Sequence, residues 1–80
     1  MLIVYVLKSL SQPHRHYVGI TEDLENRVKK HNQGESGYTK KFGPWCVETY
    51  ITFQNHDKAS TFERYLKRGS GHAFLKRYLI

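Results

Sequence analysis

The chain has a single cysteine, Cys46, among its 80 residues. One thiol cannot close an internal disulfide, and it lacks the partner thiolates of a structural zinc site. Cys46 also lies in an apolar run, where a small buried side chain is its ordinary role. A reducing compartment, by default the cytoplasm, is therefore expected.

Long hydrophobic runs are also missing. The apolar stretch at the start of the sequence covers only residues 1–7, and no basic segment precedes it. A bilayer-spanning helix needs about 20 apolar residues, and a signal peptide needs a basic segment before its apolar one. We therefore expect no membrane association.

Acidic residues are few compared with basic ones. The chain has 7 Asp and Glu against 13 Lys and Arg, which gives a net charge of +6. Such an excess favours an anionic partner, nucleic acid first, although a basic surface also keeps many small proteins in solution. A chain of this length has room for one core, so we expect a single domain over residues 1–80.

Strand character recurs three times along the chain. Runs of β-branched and aromatic residues predict strands over residues 2–8, 16–20 and 45–53. The first two are separated by a short polar segment, which predicts a hairpin. Gly19 in the second run indicates a bulge or a point where a ligand approaches the backbone closely.

Three helices are predicted between and after these strands. The first is capped by Thr21 and ends near Asn32, and the second is capped by Asn55. The third covers residues 72–80, after a break at residues 69–71. The turn-rich segment 34–44 predicts a surface loop. The order β-β-α-β-α-α predicts a small α/β fold in which a three-stranded sheet is flanked by helices.

Two tyrosines lie on the predicted hairpin strands, Tyr5 on the first and Tyr17 on the second. Cross-strand geometry would bring their phenols near one another. A phenol beside cations can take a proton from water, or orient water and phosphate by hydrogen bonds. Tyrosine is also an ordinary strand residue, so the catalytic and structural interpretations both stand.

Arg27 and His31 are four residues apart and therefore lie on one face of the first helix. A guanidinium can hold a phosphate oxygen and offset charge in a transition state. An imidazole can donate to phosphate or transfer protons near neutral pH. The alternative is an ordinary solvated helix face.

Glu63 interrupts an apolar helix stripe that is formed by Ala59, Phe62 and Leu66. A carboxylate at this position needs a partner. One candidate is Lys67, one turn further along the same helix. The other is a divalent cation such as Mg²⁺ or Mn²⁺, which takes oxygen ligands and often only one or two carboxylates.

The segment 37–45 combines basic and aromatic side chains: Tyr38, Lys40, Lys41, Phe42 and Trp45. Lysines contact phosphates and exposed aromatics stack on bases, so this segment is the best candidate for a DNA-binding surface, which Lys67 could extend. The alternative is a solvated basic loop with Trp45 buried. His14 and His16 are expected to face solvent.

Together these residues resemble the GIY-YIG nuclease superfamily, over essentially the whole chain. The motifs that carry the resemblance are Val4-Tyr5-Val6, Tyr17-Val18-Gly19, Arg27 with His31, the helix around Glu63, and Gly69 to Phe74, which is similar to the ending of short bacterial members. The resemblance implies a three-stranded sheet flanked by helices, which agrees with the pattern of the sequence.

The resemblance also implies a role for each matching residue. Tyr5 would be the general base or water-orienting group, and Tyr17 would bond to the phosphate or the attacking water. Arg27 would bind phosphate and His31 would assist proton transfer. Glu63 would hold a single divalent ion, Mg²⁺ or Mn²⁺. Substrate contacts are expected from Gly19, Tyr38, Lys40, Lys41 and Lys67.

The implied activity is metal-dependent hydrolysis of DNA phosphodiester bonds, in DNA repair or recombination. The sequence departs from the family pattern at Val4 and Val6, and no asparagine follows Glu63 where several members have one. Related enzymes usually carry a separate DNA-binding domain, so a protein partner could supply substrate recognition. The missing asparagine and the missing recognition domain favour one alternative, a catalytically weak or inactive nucleic-acid-binding module. A third interpretation is a protein-interaction subunit that delivers the domain to a larger repair complex.

Overall fold

A three-stranded antiparallel sheet organises the computed structural model, which describes residues 1–34 and 37–80. Strand β1 (Leu2–Ser9) lies in the centre, between β2 (His16–Thr21) and β3 (Trp45–Phe53). The three predicted strands are thus confirmed to within one residue at their ends. Because β1 has a neighbour on each side and helices over both faces, residues 4–7 are fully buried.

In the described part of the chain, four α-helices and a terminal π-helical segment accompany the sheet. They are α1 (Leu24–Asn32), α2 (Gly37–Phe42), α3 (His56–Leu66), α4 (Gly69–Phe74) and the π-helical segment Leu75–Leu79. The predicted fold class is confirmed, with α2 as an additional element between α1 and β3. Within the described ranges, each helix is too short or too polar to cross a bilayer.

The two faces of the sheet carry two separate clusters of buried side chains. On one face Val4 and Val6 pack with residues of α3 and of the π-helical segment, namely Ala59, Leu66 and Leu75. On the other face Tyr5 and Leu7 pack with Phe42 and Trp45. This division follows from the alternation of side chains along a strand. It places Tyr5 on the face that α1 and α2 cover.

The segment that leads into β3 is not the surface loop that its composition predicts. Residues 37–42 form α2, with Thr39 and Phe42 buried. Trp45 is 2% exposed, and its indole Nε1 donates to the Thr39 carbonyl at 2.8 Å. Phe42 and Trp45 are core residues here and do not offer open faces for base stacking. Glu35 and Ser36 of the predicted loop lie outside the described residues.

The start of α1 differs from the prediction by two residues. The N-cap is Asp23, whose carboxylate accepts from the Asn26 amide at 3.1 Å, whereas Thr21 was expected to cap. The Thr21 hydroxyl instead accepts from the Asp23 amide at 3.1 Å, which shapes the turn before the helix. The predicted Asn55 cap of α3 is confirmed by its bond from the Lys58 amide at 3.0 Å.

The last helix begins earlier than the sequence predicts. The expected break at residues 69–71 is instead the first turn of α4, which starts at Gly69 with a φ of 60°. Only glycine adopts this left-handed conformation at no steric cost. Gly71 is buried against α3, and a Cβ at this position would overlap the backbone carbonyl of Tyr65. The two glycines therefore let α4 fold back closely against α3.

Candidate active site

Three of the predicted catalytic side chains form one aromatic cluster. The ring centroid of His31 lies 5.9 Å from that of Tyr5 and 4.9 Å from that of Tyr17, and the two tyrosines are 6.4 Å apart. The hairpin supplies the tyrosines and α1 supplies the histidine. The predicted proximity of the two phenols is therefore confirmed, with His31 beside both.

Gly19 creates the space that the Tyr5 ring occupies. The sheet pairs Tyr5 directly with Gly19, and a Cβ at position 19 would lie only 2.5 Å from Tyr5 Cζ. The pairing of β1 with β2 continues without interruption through Gly19, so the predicted bulge is wrong. The irregularity in the sheet lies instead between Val6 and Leu7, opposite β3. Direct contact of Gly19 with substrate stays a prediction.

A hydrogen-bonded chain links Tyr5 through His31 to α2. Tyr5 Oη lies 2.8 Å from His31 Nε2, and His31 Nδ1 lies 2.8 Å from Thr39 Oγ1. Two tautomers fit these distances. With the imidazole proton on Nδ1, Nε2 accepts from the Tyr5 phenol and Nδ1 donates to Thr39; with the proton on Nε2, both directions reverse. In either tautomer Tyr5 and Thr39 engage both ring nitrogens and hold the imidazole in place.

Burial and nearby charges set the protonation states of Tyr5 and His31. Burial raises the pKa of the Tyr5 phenol far above its usual value, Tyr17 and Glu63 raise it further, and Arg27 opposes them. Burial and then the charge of Arg27 lower the pKa of His31. Both groups are therefore neutral near pH 7, and the hydrogen bond between them joins two uncharged partners.

Gly19→Ala should destabilise the protein and disturb the cluster. The new Cβ would meet the fully buried Tyr5 ring, which has no room to move, so we expect a loss of about 1–3 kcal/mol in the free energy of unfolding. Urea denaturation measures this loss. Gly37→Ala is the control, because a Cβ there meets nothing within 4 Å. Equal stability of the two variants would contradict the proposed fit.

The lowered pKa of His31 predicts that acid destabilises the fold. In the unfolded chain His31 returns to its ordinary pKa of 6.5, so the unfolded state takes up the proton first as pH falls. The stability supplied by neutral His31 is complete above pH 6.5 and is lost as pH falls towards the lowered pKa. Urea denaturation at roughly pH 7.5 and roughly pH 5.5 measures this loss. The free energy of unfolding should fall less between these two pH values in His31→Gln than in the wild-type protein. An unchanged dependence of the free energy of unfolding on pH in His31→Gln would contradict this.

Arg27 and Glu63 act on the aromatic cluster through their charges. Arg27 is an exposed residue of α1, and its positive charge lowers the pKa of both Tyr5 and His31. Glu63 lies on α3 with a side chain only 13% exposed, and its negative charge raises the pKa of Tyr5. The Tyr5 phenol is therefore in contact range of the Tyr17 and His31 rings and feels opposite charges from two different helices.

Glu63 forms an ion pair with Lys67, the residue that follows the last turn of α3. The distance from Lys67 Nζ to Glu63 Oε2 is 2.6 Å, and the lysine side chain is 47% exposed. Lys67, one of the two partners considered from the sequence, thus contacts the carboxylate, and the metal-binding role of Glu63 stays a prediction. Among residues 1–34 and 37–80, no three His, Cys, Asp or Glu side chains converge into a metal-holding cluster.

The other predicted substrate contacts have different surroundings. Tyr38 is 42% exposed and stacks on Tyr17 with ring centroids 6.0 Å apart, so it extends the cluster to the surface. Lys40 and Lys41 are exposed on α2, as a phosphate-binding surface requires. His16 is not the fully solvent-facing residue that was expected, because it is half-buried and its Nε2 lies 4.0 Å from Glu48 Oε1.

Two polar residues with structural roles in the site were missed by the sequence analysis. Thr39 holds His31, but nothing in the order of residues relates it to a histidine eight positions earlier. Asn32 ties the end of α1 to β3: its amide oxygen accepts from the Trp45 backbone N–H at 2.7 Å, and its amide nitrogen donates to the Trp45 carbonyl at 3.1 Å. An asparagine at a helix end is a signal for a local turn, and only the fold shows this distant partner.

Comparison with known proteins identifies the family. The family model described as the GIY-YIG catalytic domain matches residues 1–78. A UPF0213 protein of Clostridium perfringens is 36% identical over 69 residues, which is 85% of this chain and 72% of that protein. A structure-specific endonuclease subunit SLX1 of Candida dubliniensis is 35% identical over 83 residues, which is 95% of this chain but only 28% of that protein.

A solved structure agrees with this match. The solution NMR structure of a UPF0213 protein from Bacillus halodurans superposes with a TM-score of 0.56 at 26% identity, over 99% of this chain and 87% of that one. Its fold, together with the family match over nearly the whole sequence, confirms the resemblance seen in the tyrosine motifs. The chain belongs to the GIY-YIG nuclease family.

Proposed function

We propose that the chain is a metal-dependent endonuclease that hydrolyses DNA phosphodiester bonds. The observation that carries this proposal is the hydrogen bond between Tyr5 and neutral His31. Tyr17 packs against both rings, and the charges of Arg27 and Glu63 act on Tyr5. The basic net charge of +6 supports a polyanionic substrate. A role in DNA repair or recombination and a cytoplasmic location belong to the same proposal.

The cluster can move a proton without forming a free phenolate. As Tyr5 oxygen takes a proton from the attacking water, the phenol proton passes to Nε2 of His31, and the imidazole becomes an imidazolium. Thr39 can accept from Nδ1 in both states. The high pKa of Tyr5 makes an isolated phenolate unfavourable, so the relay needs His31 as the final acceptor. Tyr17 would then orient the water or a phosphate oxygen.

GIY-YIG nucleases are generally divalent-metal dependent, and Glu63 fits the minimum requirement for such an ion. A catalytic Mg²⁺ keeps several waters and needs only one or two carboxylates beside substrate phosphate. Glu63 would hold Mg²⁺ or Mn²⁺. The Lys67 side chain is 47% exposed, so it could rotate into solvent and leave the Glu63 carboxylate to the ion. When bound, the ion would neutralise charge on the phosphate.

A weak or inactive nucleic-acid-binding module is the second candidate. It is favoured by the Glu63–Lys67 ion pair, which occupies the proposed metal ligand, and by the absence of an asparagine after Glu63. Such a module would bind DNA with a steep loss of affinity as salt increases and with no dependence on Mg²⁺.

A protein partner is part of the proposal as well. The chain spans 28% of the length of the SLX1 relative, whose name describes it as a subunit. We therefore propose that substrate recognition is completed by another protein. Co-purification of a partner that increases the rate of cleavage would support this, and full activity of the chain alone would make the partner unnecessary.

Cleavage of defined DNA forms tests the proposed function. Branched, duplex and single-stranded DNA of the same sequence are incubated with the chain and with Mg²⁺, Mn²⁺ or EDTA. The endonuclease proposal predicts internal cleavage products with metal and none with EDTA. Salt-sensitive binding without products in any condition would favour the binding module.

Arg27→Ala should lower the rate of cleavage by about 100-fold or more, because a charged donor to the phosphate is removed. The side chain is exposed, so the free energy of unfolding should change by no more than about 0.5 kcal/mol. Single-turnover cleavage, with denaturation in parallel, separates these effects. Arg64→Ala on the exposed surface of α3 is the control, and equal rates in the two variants would remove the phosphate-binding role of Arg27.

A further inference from the structure

A cavity of about 450 Å³ opens beside the candidate active site. Tyr17 and Tyr38 of the aromatic cluster form part of its wall, so the cavity and the cluster are continuous. Sites for small organic ligands usually have volumes of this order, with apolar walls and a few polar groups. Of the five candidate catalytic residues, Tyr17 is the one among the described lining residues of this cavity. The ligand of the cavity must therefore be inferred from its other side chains.

The lining combines three kinds of side chain. The stacked pair Tyr17 and Tyr38 supplies an aromatic surface, and the apolar lining includes Leu66 and Leu75. Basic and imidazole groups complete it: His14, His16, His72, Lys67 and Lys76. Among the described lining residues there is no Asp or Glu. The nearby acids are Glu48, which lies beside His16, and Glu63, which pairs with Lys67.

An aromatic surface beside cationic donors matches the two halves of a nucleotide. A nucleobase stacks on tyrosine whatever its identity, because every base has a π-face. A phosphate takes hydrogen bonds from lysine and imidazole. The apolar groups between them suit the sugar and the base edge, and would repel a fully hydrated inorganic ion. A paired nucleotide cannot enter, because its base face is covered within the duplex stack.

We infer that this cavity binds one unpaired nucleotide of the DNA strand that enters the active site. Its base would lie against Tyr38, and its phosphate would be held by Lys76 and His72. This rests on the proposed function, because the cavity shares Tyr17 with the candidate catalytic cluster. The cavity would favour DNA that has an unstacked nucleotide next to the cleaved bond over continuous duplex, and this preference deepens the proposed function.

Titration with thymidine 5′-monophosphate in EDTA, followed by backbone amide NMR shifts, tests the inference without any cleavage. We expect saturable binding with shifts around Tyr38, His72 and Lys76, and binding of thymidine or inorganic phosphate that is weaker by about tenfold or more. Equal binding of inorganic phosphate would reduce the cavity to an anion site and overturn the inference. Shifts confined to the surroundings of Arg27 would do the same.

Matched variants locate the two halves of the nucleotide. Tyr38→Ala and the double variant His72→Ala/Lys76→Ala should each weaken thymidine 5′-monophosphate by about tenfold, through lost stacking or lost charged hydrogen bonds. Tyr50→Ala and the double variant His56→Ala/Lys58→Ala are the controls, since these exposed residues lie outside the cavity lining. Unchanged affinity in the cavity variants would overturn the assignment.

The two proposals can fail independently. Saturable nucleotide binding by a chain that cleaves no DNA would overturn the nuclease function and leave the binding site in place. Metal-dependent cleavage by a chain that shows no saturable nucleotide binding would overturn the binding site alone. If both hold, the cavity variants should slow cleavage of single-stranded and branched DNA more than cleavage of duplex DNA.

Discussion

Replacing Tyr5 with phenylalanine is expected to lower the rate of DNA cleavage by about 100-fold or more. The change removes one oxygen, through which the proton would pass from water to Nε2 of His31. The ring stays in the space next to Gly19, so packing is preserved. Because Nε2 loses its buried hydrogen-bond partner, the free energy of unfolding should fall by about 1–3 kcal/mol. Single-turnover cleavage and urea denaturation measure the two effects separately.

Tyr50→Phe is a matched control for this prediction. Tyr50 is the cross-strand partner of Tyr5 on β3, but it is 59% exposed, so the loss of its hydroxyl should change neither rate nor stability measurably. If Tyr5→Phe cleaved DNA as fast as Tyr50→Phe, the phenol of Tyr5 would have no part in the chemistry. Proton transfer would then have to be assigned to Tyr17 or to water.

Glu63→Ala should abolish metal-dependent cleavage while the fold survives. The change removes the carboxylate proposed to hold the ion, and residues 1–34 and 37–80 contain no group of three His, Cys, Asp or Glu side chains that could hold it instead. Alanine is the best helix former, and Lys67, which loses its ion-pair partner, is half-exposed. The free energy of unfolding should therefore change by no more than about 1 kcal/mol. Product formation against Mg²⁺ concentration, with denaturation in parallel, tests both statements.

Glu25→Ala is the control for the loss of a helical ion pair. Glu25 and Lys29 are also four residues apart, with the lysine after the glutamate, and their charged atoms lie 4.0 Å apart on the exposed side of α1. Retained cleavage in Glu25→Ala with none in Glu63→Ala would show that the position of the carboxylate matters. Full activity in both variants would remove Glu63 from the proposed metal site.

The sheet was predictable because β-branched and aromatic runs specify strands locally. All three strands followed from this pattern, and the Asn55 cap followed from helix-start chemistry. The helix α2 was missed because its six residues, GYTKKF, include glycine and threonine and carry no apolar period of their own. It is held by tertiary contacts, through buried Phe42 and the bond from Trp45 to the Thr39 carbonyl, that no local pattern reports.

The identity of the candidate catalytic residues came from their motifs, whereas their interactions came only from the fold. Tyr5 and His31 are 26 positions apart, and their hydrogen bond depends on how α1 packs over the sheet. The role of Gly19 was half-anticipated: the sequence indicated a close approach to its backbone, but the group that approaches is the Tyr5 ring. Thr39 gave no signal, because its importance comes entirely from a partner on another helix.

Metal-dependent cleavage by wild-type protein and Glu63→Ala, compared on the same branched and single-stranded DNA, tests the central claim most directly. Binding of the same DNA is measured in parallel over a range of salt concentrations. The nuclease account predicts products from wild type only with Mg²⁺ or Mn²⁺, and none from Glu63→Ala despite retained DNA binding. Equal products from both proteins, or salt-sensitive binding with no products from either, would contradict it.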